Sequence, residues 1–384
     1  MRYRSLGRTG FMVSEVGVGG EWHERVGTKE TLDLLARCGE HGINILDCYM
    51  PGPDVRANIG KALAGQRDKW FIEGHLGTVW ENNQYQRTRD LRKAKESYVD
   101  LLRQLHTDYI DIGMIHYIDE LEDWQRVQDG GLLSYALDLK KQGVVRSLGF
   151  SSHNAKMAKI IIETGLMDVM LFSINPAFEL VSSSHSVLDL VYGEGEGVNH
   201  ALLANVSPER SSLFRLCEDR GVGITVMKPF AGGLLLDAER SPFGVALTPA
   251  QCLHYALSRP AVSSVMVGFE NIEHVEAAVA YEKATAEELD YASVLRNAPT
   301  HSYVGQCTYC GHCAPCAADI DVAMVNKYLD LARAHEEVPA TVREHYLSLD
   351  KNGADCLQCG ACMDRCPFGV DIIGRMAEAE ALFR

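Results

Sequence analysis

Eight of the chain's twelve cysteines fall in two short runs near the C-terminus. The first run is Cys307, Cys310, Cys313 and Cys316, in CTYCGHCAPC; the second is Cys356, Cys359, Cys362 and Cys366, in CLQCGACMDRCP. Repeated C-x2-C-x2-C spacing lets three thiolates converge on one cube of iron and sulfide. A closing C-x3-C-P is the spacing in which the last cysteine reaches over to a second cube. The first run is one residue shorter before its last cysteine, and Pro315 precedes Cys316 instead of following it. Cys316 therefore departs furthest from the pattern. Zinc ribbons use paired C-x2-C units, which two evenly spaced runs of four fit poorly. A disulfide framework would require many strained short loops. The spacing predicts two [4Fe-4S] clusters held by these eight residues, and leaves open which cube Cys316 and Cys366 join. Cys38, Cys217 and Cys252 read as small buried hydrophobes, and Cys48 faces away from its neighbour Asp47 along a strand.

The elements that carry these residues follow from composition and periodicity. A chain of 384 residues with 46% hydrophobic content suffices for one large domain and one small one. A net charge of −15 argues against a nucleic-acid footprint. The N-terminal MRYRSLGRTG has no apolar core, so no secretory signal is expected, and no run reaches the length of a membrane span. Free thiolates point to a reducing, cytoplasmic compartment.

Residues 1–285 alternate strand and helix after an N-terminal hairpin. Strands are predicted near 16–20, 43–49, 70–75, 109–117, 145–152, 169–175, 223–229 and 264–269. Amphipathic helices lie between them, including TKETLDLLARCGEHG with Thr28 as its N-cap, LRKAKESYVDLLRQLH and NAKMAKIIIETG. Eight such pairs suit a closed (β/α)8 TIM barrel. The competing open doubly wound sheet would show a Gly-rich phosphate turn after its first strand, and GVGGEW lacks that spacing. A polar insertion at about 182–207 could act as a lid or a plain surface excursion. Residues 286–300 read as a connector and 301–384 as the cysteine domain, with helices in VAMVNKYLDLARAH and TVREHYLSL.

The segments YRSLGRTGFMVSEVGVGG, GINILDCY, TDYIDIGMIHYI, VVRSLGFSSHN and GVGITVMKPFAGGLL together resemble the aldo-keto reductase superfamily over roughly residues 1–280. A barrel followed by two cysteine runs is similar to the iron–sulfur-containing members, with a small α-helical ferredoxin-like domain. The resemblance implies carbonyl reduction by nicotinamide hydride, with an aspartate, a tyrosine, a lysine and a histidine as the proton-transfer tetrad. Asp47 and His116 match two of these. The tyrosine position falls at Gly52, with Tyr49 nearby as a substitute, and the lysine position holds His75. In the nicotinamide pocket, Ser151 and Ser152 stand for a serine–asparagine pair, Leu171 for a glutamine, Met227 for a stacking tyrosine and Ala278 for an asparagine. Asn175 and Gly268 would complete the pocket if a nicotinamide binds. These departures predict weak or absent NADP(H) binding.

Ionisable residues still gather at the predicted C-terminal strand ends, where barrel active sites sit. They are His23, Asp47, Tyr49, His75, His116, His153 and Lys228, together with Asn175. Tyr49, His75 or His116 could move protons near neutral pH. Asp47 could hold the geometry, and Lys228 could stabilise an oxyanion or form a Schiff base. A mononuclear metal on His23, Asp47, His75 and His116 is chemically conceivable. Three functions are consistent with these residues. The first is an iron–sulfur oxidoreductase exchanging electrons between ferredoxin or flavodoxin and a small organic substrate. The second is an NADPH-dependent reductase with auxiliary clusters. The third is a redox-neutral lyase or isomerase in which the clusters are structural.

Overall fold

The computed structural model describes residues 1–180, 208–299, 305, 307–333 and 337–384. The insertion predicted at 182–207 lies outside them. The chain divides into two compact units, one formed by Met1–Gly232 with Cys252–Thr285, the other by Gly233–Gln251 with Ala286–Arg384.

The first unit is a closed parallel barrel. In chain order its strands are β3 (Val16–Gly19), β4 (Ile45–Cys48), β5 (Phe71–Leu76), β8 (Ile110–Ile115), β9 (Val145–Ser152), β10 (Val169–Ser173), β11 (Gly223–Met227) and β12 (Val262–Gly268). β12 pairs with β3, which closes the ring. Parallel strands packed on both faces need apolar residues at nearly every position, and β8 and β10 are buried throughout. Two antiparallel hairpins stand outside the ring: β1 (Tyr3–Ser5) with β2 (Met12–Ser14), and β6 (Thr78–Glu81) with β7 (Gln84–Arg87). Leu6 and Val13, at the first hairpin, join Ile45, Ile112, Met114, Val169, Leu171 and Met266 in one apolar cluster.

Local chemistry fixes the helices between strands. Asn154 Oδ1 caps helix Ala155–Glu163 by accepting from the backbone N–H groups of Lys156 and Met157. Asp90 caps Leu91–Gln104 in the same way. Thr28 does not cap: the cap position falls on Gly27, with no side-chain hydrogen bond, and Thr28 is the first helical residue. Gly20 is required by close approach, because a Cβ there would lie 2.2 Å from the Asp47 carbonyl oxygen. That contact fixes the end of β4, where the chemistry sits.

The second unit contains no strand among its described residues. Helix Tyr291–Arg296 occupies part of the predicted connector and is capped by Asp290. Helices Val322–Arg333, Ala340–Leu347 and Ile372–Phe383 bury Val325, Leu329, Met376 and Phe383. Tyr346 stacks on Phe383 with centroids 4.0 Å apart. Arg375 ties two of these helices together through Asp330 at 2.6 Å.

Candidate active site and cysteine cavities

Strand alternation carries Asp47 of β4 and both Glu73 and His75 of β5 to the barrel interior. His75 Nδ1 lies 2.7 Å from His116 Nδ1. His75 Nε2 lies 3.0 Å from Asp47 Oδ1, although this contact is tilted off the hydrogen-bond axis. His116 Nε2 meets the hydroxyl of Tyr85. His75, His116 and Tyr85 thus form a hydrogen-bonded row, with the Asp47 carboxylate as a charge contact at its end. One proton assignment satisfies it with both imidazoles neutral. Tyr85 Oη donates to His116 Nε2, His116 Nδ1 donates to His75 Nδ1, and the remaining proton on His75 Nε2 faces the carboxylate. Burial holds His116 well below its ordinary pKa, helped by the neighbouring His75 and Arg89. Tyr85 is pushed above the usual phenol range, chiefly by burial. Arg89 donates from Nη2 to the carbonyl oxygens of His116 and Tyr117 at 2.8 Å each, which locks the end of β8.

Tyr85 was not among the residues singled out from sequence. It arrives on β7, and Asn82 and Asn83 both have positive φ in the two-residue turn between β6 and β7. That conformation suits a type I′ hairpin turn, so ENNQ carried a readable signal. Tyr49 lies parallel to His116, with centroids 5.9 Å apart and planes 6° apart, and edge-on to Tyr85 at 5.9 Å. Gly52, at the family's tyrosine position, precedes helix Pro53–Ala62. Glu73 was also missed. It is fully buried and accepts from Thr225 Oγ1 at 2.7 Å. Burial, with the charge of Asp47 second, raises its pKa well above the carboxylate range.

A second network lies beyond Tyr117, whose ring is 5.1 Å from that of His116 and 5.6 Å from that of His153. His153 Nδ1 lies 2.9 Å from Asp119 Oδ2. The other carboxylate oxygen accepts from the His153 backbone N–H at 2.6 Å and from Ser152 Oγ at 3.0 Å. Lys228 Nζ lies 3.4 Å from His153 Nε2. Burial lowers the pKa of both Lys228 and His153, against the pull of nearby carboxylates.

Of the positions expected to meet a nicotinamide, Asn175 and Ser152 are hydrogen-bonded within the protein, whereas the buried Ser151 Oγ has no partner among the described residues. Asn175 Nδ2 donates to the Lys228 carbonyl at 2.8 Å, and its Oδ1 accepts from Phe178 N at 2.9 Å. Leu171 is in the apolar cluster, with Met227 against it, and Ala278 is buried in helix Ile272–Val279. Ser151 is buried, and Gly268 pairs with Gly19 at the end of β12. His23 is buried on the 3-10 turn Gly20–Glu24 and is pushed down to about 4 by burial. The mononuclear metal site suggested for His23, Asp47, His75 and His116 is not formed. Among the described residues no three His, Cys, Asp or Glu side chains converge on a single metal-ion position, and the two Nδ1 atoms of His75 and His116 face each other.

The cysteines sort into two cavities. One is lined by Cys307, Cys310, Cys313 and Cys366; the other by Cys316, Cys356, Cys359 and Cys362. Each cavity takes three thiols from one run and the last cysteine of the other. Burial pushes Cys307 and Cys313 up to about 12, and neighbouring thiols add to the effect. The crossing cysteines each receive a backbone N–H at 3.5 Å, Cys316 from Ala318 and Cys366 from Val370. Arg365 Nη2 donates to the carbonyls of Cys313 at 2.7 Å and Pro315 at 2.5 Å, which holds the first run to the second. Among the described residues no helix is long and apolar enough to cross a membrane.

Comparison with known proteins agrees with the barrel. The sequence profile of the Aldo/keto reductase family matches residues 16–248. The oxidoreductase YqkF of Bacillus subtilis is 27% identical over 314 residues, covering 75% of this chain and 94% of that protein. The aldo-keto reductase YhdN of the same organism is 23% identical, covering 54% of this chain and 62% of that protein. The holo form of an aldo-keto reductase from Bacillus halodurans superposes with a TM-score of 0.57 at 25% identity, covering 75% of this chain and 94% of that one.

Proposed function

Because the chain belongs to the aldo/keto reductase family, and is an oxidoreductase with a (β/α)8 barrel, we propose that it is an iron–sulfur member. In this reading it interconverts a small carbonyl compound and its alcohol, or reduces an activated C–O or C=C bond. Residues 1–285 would be the reductase barrel, apart from Gly233–Gln251, which group with the second unit, 286–300 the connector and 301–384 a ferredoxin-like domain. A low-potential carrier of the ferredoxin or flavodoxin class would exchange electrons with it in the cytoplasm. The observation that carries this reading is the sorting of eight thiols into two sets of four. Buried, mutually repelling thiols are poor free thiolates, and such a donor set suits a cluster whose iron takes up their charge. Cys307, Cys310, Cys313 and Cys366 would hold one [4Fe-4S] cluster, and Cys316, Cys356, Cys359 and Cys362 the other. Bound there, the clusters supply or accept single electrons.

The barrel residues handle the protons. With both histidines neutral, every proton in the row points toward Asp47, so Tyr85 Oη has a lone pair with which to accept a hydroxyl proton from an alcohol. One extra proton on His75 or His116 reverses the row, and Tyr85 Oη then donates to a developing alkoxide. Asp47 balances the charge of a protonated His75, and Tyr49 packs over His116 to keep water away from it. While it is protonated, Lys228 would stabilise negative charge on the substrate. Family membership favours a second reading, an NADPH-dependent reductase with auxiliary clusters, in which Ser151, Ser152, Asn175 and Gly268 would touch the nicotinamide. The two hydrogen bonds already made by the Asn175 amide weigh against it.

The test is to reduce anaerobically isolated, cluster-replete protein with reduced ferredoxin, then add a panel of small aldehydes and ketones. The reading predicts bleaching of the cluster absorbance, its recovery with one or more carbonyls, and no NADPH fluorescence response. Tight NADPH binding with turnover on NADPH alone contradicts it.

A further inference from the structure

The Lys228–His153–Asp119 network stands apart from the proton row and has the arrangement of an activated nucleophile. Such sites place the nucleophile within reach of a base that is itself oriented by a third group. Here the order is Lys228 Nζ, His153 Nε2 at 3.4 Å, and Asp119 Oδ2 at 2.9 Å from His153 Nδ1. The Asp119 contact puts the histidine proton on Nδ1, so the Nε2 lone pair faces the lysine. Ser152 Oγ and the His153 backbone N–H fix the carboxylate. Among the described residues, His153 is the one side chain within hydrogen-bond reach of Lys228 Nζ. No carboxylate of theirs ion-pairs with it. The charges of Glu21, Asp119 and Asp47 act on this half-buried lysine from beyond hydrogen-bond reach, so none of the three holds its Nζ in an ion pair.

The backbone gives a second, independent observation. Lys228 adopts φ +56°, in the left-handed region that non-glycine residues rarely occupy. Two hydrogen bonds maintain it: its carbonyl accepts from Asn175 Nδ2 at 2.8 Å and from Ala231 N at 3.0 Å. Strained backbone that neighbouring groups hold in place is found at working side chains. It also accounts for Asn175, whose amide serves the lysine's main chain.

We propose that Lys228 is an imine-forming amine that takes small aldehydes or ketones, with His153 as its base and Asp119 as the residue that positions the base. His153 Nε2 takes a proton from the Nζ ammonium, and the free amine adds to the carbonyl carbon. The proton returns to the departing hydroxyl, and water leaves as the C=N bond forms. The step is redox-neutral and needs neither a nicotinamide nor an iron–sulfur cluster. It therefore stands whether or not the cysteines hold metal. The lowered pKa of Lys228, caused by burial, agrees with it.

The experiment is reductive trapping. The full-length protein is treated with limiting propanal and cyanoborohydride, and the propylated lysines are mapped by peptide mass spectrometry. Labelling at Lys228 is expected to exceed that at exposed lysines such as Lys29 and Lys95 by on the order of 10²-fold. His153→Gln keeps a hydrogen-bond acceptor but removes the base. It is expected to abolish that preference while labelling of Lys29 and Lys95 stays unchanged, and Asp119→Asn should weaken it. Labelling of Lys228 no faster than at the exposed lysines overturns the proposal. So does a preference that survives His153→Gln in folded protein.

Discussion

Replacing Tyr85 with phenylalanine isolates one hydroxyl. The ring contacts with Tyr49 at 5.9 Å and His116 at 5.5 Å are kept, so packing changes little. What is lost is the donor to His116 Nε2, on a side chain only 6% exposed. A buried acceptor left without its partner costs about 1–3 kcal/mol of stability. If Tyr85 is the terminal acid and base, turnover falls by about 10²–10⁴-fold, or about 3–5 kcal/mol on the barrier. The two losses are measured separately. Urea unfolding followed by tryptophan fluorescence reports on the barrel, which contains Trp70, Trp80 and Trp124. Turnover is read with reduced carrier and whichever carbonyl responds in the panel. Nitrogen-15 NMR of the imidazoles adds a direct check, predicting the proton of His116 on Nδ1 and that of His75 on Nε2 in the native protein. Two results refute the reasoning: Tyr85→Phe turnover within twofold of wild type, or a wild-type His116 that carries its proton on Nε2.

Other consequences follow from the buried ionisable groups and the crossed thiol sets. His23, at 3% exposure, is held near 4 in the fold against 6.5 when unfolded, so the unfolded chain binds its proton first. Stability is therefore complete above pH 6.5 and drains by about 3 kcal/mol as pH falls toward 4; the urea midpoint of wild type should fall relative to that of His23→Leu over that window, and a constant difference between the two would contradict this. Glu73 has the opposite sign, because its raised pKa means the fold keeps a proton that the unfolded chain releases above about 4.5. Glu73→Gln should thus match wild type below pH 4.5 and become the more stable form as pH rises; a variant less stable than wild type at pH 8 would contradict this. Cys366→Ala and Cys307→Ala should remove the same electron paramagnetic resonance signal from the reduced protein, and Cys316→Ala the other one. Loss of one signal by both Cys366→Ala and Cys359→Ala would contradict the crossed sets.

The barrel was legible because its strands are short apolar runs buried on both faces, and this pattern needs no knowledge of partners. The strand predicted at 145–152 coincides with β9, and the other seven overlap β3, β4, β5, β8, β10, β11 and β12. Asp47, His75 and His116 could be singled out because each lies at a strand end. What escaped depended on contacts distant in sequence. Tyr85 sits on a polar hairpin outside the ring, and reaches His116 across 31 residues. Asp119 lies on a loop and meets His153 34 residues away. Glu73 reads as an ordinary acidic residue until β4 and β11 surround it. Thr28 was assigned as a cap on residue type, yet the backbone turns into the helix one residue earlier, at Gly27. The C-x3-C-P spacing points to Cys366 reaching beyond its own run, but the cavity that Cys316 lines depends on how the two runs fold against each other.

The account rests on what the eight thiols hold. Protein isolated without oxygen and assayed for iron, zinc and acid-labile sulfide should contain about eight iron and about eight sulfide per chain, and should give a spectrum of reduced cubane clusters after dithionite. Zinc bound in place of iron, or iron without labile sulfide, would contradict it.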